Sequence, residues 1–120
     1  NMRWGIETSF RELKYTVGLL HFHAKKVENI YQEVFARLIM YNFTELVTSH
    51  VIIQKTDTEY AYKANFSVAV HICRQFFLGN VSPPDVEALI CKYVSPIRPG
   101  RSRPRKMTVK HAVSFIYRVA

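Results

Sequence analysis

The chain has 120 residues, 48% of them hydrophobic, with seventeen Lys and Arg against nine Asp and Glu. That length holds one domain at most, or a piece of one, with enough apolar content for a core. No apolar run approaches the ~20 residues of a membrane span, no signal-peptide pattern is present, and Cys73 and Cys91 have neither zinc-ligand spacing nor the density of a secreted disulfide framework. The expectation is a soluble, intracellular chain with no structural metal and both cysteines serving as buried apolar residues.

A first helix is expected from Trp4 to Val17, ended by Gly18, which can supply a left-handed terminus. At about 100° per residue, Glu7 lies about 40° and Lys14 about 20° round the axis from Arg3, so the three share one stripe. Ile6, Phe10, Leu13, Val17 and Leu20 occupy the neighbouring arc, as a buried face would. Spacing by itself favours ordinary surface ion pairing, where an i,i+4 pair is worth about 0.2 to 0.5 kcal/mol. Trp4 is read as an anchor for this helix in preference to a stacking platform for a base. LLHFHAKK follows as a connector, and its His21 and His23 have no third ligand near them, so they are read as structural or solvated.

A long second helix is expected from Lys25 to His50, where Val27, Ile30, Tyr31, Val34, Leu38, Tyr41 and Glu45 track one face without a proline or glycine. After the polar break QKTDTE, a third helix is expected from Glu59 to Leu78, ended by Gly79 and Asn80. Ser82 offers a cap and Pro83 a first helical position for a short fourth helix reaching Tyr93. Residues 95–106, with three prolines and a glycine among basic residues, should be extended and solvated, and residues 107–120 lean towards a helix. The fold class is therefore mainly α with four to five helices, divided into a helical part at 1–94, a basic Pro/Arg-rich segment at 95–106 and a C-terminal helix at 107–120. Because the chain opens at Asn1 immediately before a helix, it is expected to be cut from something longer.

Charge is unevenly placed. Up to Glu87 the charges cancel, whereas Ala88 to Ala120 holds eight basic residues and no acid, with Arg98, Arg101, Arg103, Arg105 and Lys106 packed into IRPGRSRPRK. A one-sign block of this kind suits phosphate tracking on nucleic acid better than it suits solubility alone. Five neutralised phosphates would give a log affinity against log salt slope of roughly −4.5.

RWGIETSFRELKYTVGLLHFHAKK resembles the bacterial insertion-sequence transposases of the DDE class whose signature is Tyr, two residues, Arg, three residues, Glu, six residues, Lys. Arg3, Glu7 and Lys14 have those identities at that spacing, and the signature tyrosine would precede Asn1. The QEVFARLIMYN helix and the late basic tract extend the similarity to the C-terminal half of such proteins. The resemblance implies the C-terminal helical part of an RNase H-like catalytic domain, lacking its sheet. Glu7 would be the third catalytic carboxylate and a metal ligand; Asp57 and Asp85 lie downstream and cannot stand for the two earlier Asp residues. Arg3, Lys14, Arg98, Arg101, Arg103, Arg105 and Lys106 would contact DNA.

The chemistry so implied is cutting and joining of DNA at insertion-sequence ends, in-line displacements that paired Mg²⁺ or Mn²⁺ ions promote by activating the attacking oxygen and stabilising the leaving one. Partners would be transposon-end and target DNA and a second copy of the chain, with no membrane, in the bacterial cytoplasm at the nucleoid. The isolated chain is expected to be inactive and to bind no metal by itself. The alternative is a catalytically inactive helical module for DNA binding or dimerisation.

Overall fold

The computed structural model describes residues 2–53 and 58–100, with side chains from residue 5 onward. The described chain is mainly helical, as expected, with one small two-stranded sheet. Helix α1 (Met2–Arg11) runs directly into a π-helical turn at Glu12–Thr16. A connector leads to α2 (Val27–His50), and the second half contains β1 (Tyr62–Ala64), α3 (Phe66–Phe77), α4 (Pro83–Lys92) and β2 (Val94–Pro96). The expected C-terminal helix at 107–120 lies outside the described residues.

Local chemistry sets most of the helix ends. Gly18, at φ 86°, follows the π-helical turn, and the Leu19 N–H reaches back to the Leu13 carbonyl. Gly79, at φ 77°, closes α3 with two returning bonds, its own N–H to Phe76 and the Asn80 N–H to Gln75, which satisfy carbonyls left over at the helix end. At α4 Ser82 is the cap residue, yet its hydroxyl bonds the Asp85 carboxylate instead of a backbone N–H. Pro83 and Pro84 have no N–H to offer it, and the Asp85 N–H is already taken by the Ser82 carbonyl at 3.1 Å.

The third helix begins later than the sequence suggested. Residues 62–64 form a strand instead of a helical turn, pairing antiparallel with β2 in the register Tyr62↔Pro96, Lys63↔Ser95 and Ala64↔Val94. Asn65 then caps α3, its side-chain oxygen accepting the Val68 N–H at 3.4 Å. The basic segment consequently starts as a paired strand, with Ser95 half-buried, before reaching the exposed Arg98.

The core gathers where α3 packs between α2 and α4. Ala69, Ile72, Val86 and Ile90 are buried together, bordered by Val47, Val51, Val68 and Leu89. Thr44 is fully buried in the middle of α2, its hydroxyl donating to the Met40 carbonyl at 2.8 Å, so no polar hydrogen is stranded. Cys73 is buried as expected, and burial pushes its thiol pKa up, with a Thr44 hydrogen bond opposing. Cys91 is half-buried, with its thiol near the Ile52 carbonyl.

The face expected to bury the first helix is covered only in part. Leu13, Val17 and Leu20 are half-buried, but Ile6 and Phe10 remain 59% and 56% exposed and line an open apolar cleft with Tyr41 of α2. Helix α2 is apolar on nearly every side, and Val27, Tyr31, Phe35, Ile39 and Leu46 are exposed along one flank. That flank is an exposed apolar patch.

Candidate nucleic-acid interface

Glu7 sits in the middle of α1 with its side chain exposed. Arg3 occupies the same helix one turn earlier, its side chain outside the described set. Lys14 is exposed on the π-helical turn. There the backbone bonds reach five residues back, as in Val17 N–H to the Glu12 carbonyl at 3.0 Å, and each residue advances less than the 100° of an α-helix. Lys14 is therefore set back around the axis from the position that an unbroken α-helix would give it. Arg98 is exposed beyond β2, while Arg101, Arg103, Arg105 and Lys106 lie outside the described residues.

The π-helical turn also builds a polar cavity of about 420 Å³ that the sequence reading did not anticipate. Glu12 from the turn, Glu45 and Thr48 from α2, Lys63 from β1 and Ser95 from β2 contribute to its lining. Burial holds the Glu12 carboxyl above its ordinary range, and the Glu45 charge adds to this against Arg11 and Lys63. Tyr41 stands beside the same pair. Burial raises its phenol, and a Ser9 hydrogen bond opposes the shift. The available signal was Glu45 itself, a carboxylate placed on an otherwise apolar helix face, but its partner is thirty-three residues away in sequence.

A second polar cluster fastens the connector to α2. The Glu33 carboxylate accepts the His23 N–H at 3.0 Å and the Ala24 N–H at 2.7 Å, and it pairs with Arg37 at 3.3 Å. The Arg37 guanidinium lies 5.2 Å from the centroid of the Phe22 ring. His21 and His23 project outward, as the solvated reading expected.

The metal chemistry implied by the signature needs several hard oxygen ligands in one place. Glu7 supplies one carboxylate, and among the described residues no group of three His, Cys, Asp or Glu could hold a metal ion. The described residues thus do not complete such a site. No helix among them is long and apolar enough to cross a membrane.

Compared with known families, residues 1–43 match the transposase DDE domain, a span that covers α1, the π-helical turn, the connector and the first two-thirds of α2. No curated protein and no solved structure matches the chain.

Proposed function

We propose that this chain is part of a DDE transposase and that α1 carries the third acidic residue of its catalytic centre, Glu7. The observation that carries the reading is the placement of Arg3, Glu7 and Lys14, at the signature spacing, inside the span that matches the transposase DDE domain. In support, Glu7 lies mid-helix and faces outward, where the backbone holds it and a ligand can reach it. Arg3 suits bidentate contact with a phosphate and Lys14 a point-charge contact. Arg98, Arg101, Arg103, Arg105 and Lys106 would follow the DNA backbone further out, with a second copy of the chain completing the transposition complex. The reading requires two further carboxylates that these residues do not provide, so the isolated chain is inactive.

The test is Mg²⁺-dependent cleavage of element-end DNA by the full gene product beside its Glu7→Gln form. Gln keeps the size and hydrogen bonding of Glu but removes the anionic ligand. The expected outcome is loss of cleavage with DNA binding retained; cleavage equal to the parent refutes the assignment of Glu7. The exposed flank of α2 favours one second reading, a module whose main task is dimerisation. That reading requires concentration-dependent self-association with little affinity for DNA.

A further inference from the structure

From Leu13 to Val27 the sequence contains no acid and carries Lys14, His21, His23, Lys25 and Lys26. Burial alternates along part of this stretch: Phe22 and Ala24 are half-buried, while His21, His23 and Lys25 are exposed. Alternation of period two is the mark of extended chain lying on a surface, and it places every second side chain outward about 6.6 Å from the next. Lys26, also exposed, continues the backbone in an extended conformation at φ −83° and ψ 139° before α2 begins.

The inner side of this strap is tied down. Both oxygens of Glu33 receive the His23 N–H at 3.0 Å, one of them also takes the Ala24 N–H, and Arg37 stands against the same carboxylate while its guanidinium covers Phe22. The acid that touches the strap is thus turned to its backbone and neutralised by Arg37. Outward from the alternating stretch stand His21, His23 and Lys25, and Lys26 is exposed at its end, where the exposed apolar flank of α2 begins. A spaced row of donors and charges of one sign fits a phosphate backbone.

We propose that the strap from His21 to Lys26 is a DNA-backbone contact surface, in which Lys25 and Lys26 meet phosphates as point charges, His21 and His23 donate ring hydrogen bonds, and Glu33 is the positioning residue. This deepens the transposase reading, on which it rests for the identity of the polyanion. The surface is additional to the Arg3 and Lys14 stripe and to the C-terminal basic tract.

The test measures binding of the full gene product to a short linear duplex of arbitrary sequence across a salt series. Lys25→Ala with Lys26→Ala makes the log affinity against log salt slope shallower by about 1.8, the loss of two phosphate contacts. His21→Ala with His23→Ala weakens binding about tenfold. Glu33→Gln discriminates further. Deleting a negative charge by itself strengthens binding to a polyanion, whereas loosening a positioned strap weakens it and speeds hydrogen exchange at the His23 and Ala24 amides. A parental salt slope in the double lysine variant overturns the proposal, as does tighter binding in Glu33→Gln. If that slope is parental while Glu7→Gln still abolishes cleavage, the strap fails and the transposase reading stands. If the slope falls while the parent full gene product cleaves no element-end DNA, the strap stands as a DNA surface and the transposase reading fails.

Discussion

The rings of Phe43 and Phe76 lie parallel, 5.8 Å apart between centroids and 5° between planes, and so join α2 to α3 beside the core. Phe77 closes on Phe43 from a tilted angle at 4.8 Å. Aromatic pairs of this kind contribute about 0.5 to 1.5 kcal/mol beyond the area they bury. Phe43 is half-buried, so Phe43→Ala is expected to cost about 2 to 3 kcal/mol, short of the fully buried range. The check is a urea titration, in which the midpoint falls with the slope unchanged. A midpoint within error of the parent would mean that the α2 to α3 contact does not depend on this ring.

Glu12 should behave as a carboxylate in the wrong place. Burial first, and then the Glu45 charge, raise its pKa from 4.5, so protonated Glu12 suits the fold better than ionised Glu12. Its favourable contribution is fully present below the unfolded value and is lost as pH rises through the folded one. At neutral pH, Glu12→Gln is therefore expected to stabilise the protein, by less than about 1 kcal/mol once solvent screening is counted. Glu45→Gln should move the Glu12 titration back towards 4.5. Carbon-13 carboxyl shifts follow both effects, and a parental Glu12 midpoint at or below 4.5 would contradict them.

Glu33 should titrate in the opposite sense. The His23 N–H, then the Ala24 N–H and Arg37, hold its carboxyl below 4.5 against the effect of burial. Its contribution to stability is present above the unfolded value and disappears as pH falls through the folded one. The amide shifts of His23 and Ala24 are expected to report this as one shared transition below 4.5. The same shifts in Glu33→Gln should stay flat over that range, and a transition persisting there would assign the titration to another group.

What could be read from the sequence was what neighbouring residues decide. Gly18 and Gly79 end their helices because a positive φ comes cheaply to glycine, and Pro83 starts α4 because its missing donor costs nothing there. The start of α3 was misread because Tyr62 and Phe66 stand four apart, as helix neighbours do. The pairing that makes Tyr62 a strand residue comes from Pro96, far along the chain, and Asn65 was the overlooked local sign of a helix start. No glycine or proline within Glu12–Thr16 announces the π-helical turn. For the candidate site, the place of Glu7 inside the first helix was legible, while its exposure, the Glu12 and Glu45 cavity and the grip of Glu33 on the strap depend on how α1 and α2 dock.

The register of the small sheet bears on how the second half of the chain could be rearranged. Since Tyr62 lies opposite Pro96, the chain enters and leaves the α3 and α4 lobe at one doorway. A lobe whose two ends meet has the geometry of an insertion, which can be shortened, enlarged or exchanged for another without separating the flanking segments. The exit also places Ile97, one residue before the arginine-rich stretch begins, against Ala61, where the lobe was entered. Variation inside the lobe would then leave the launch point of that stretch unchanged.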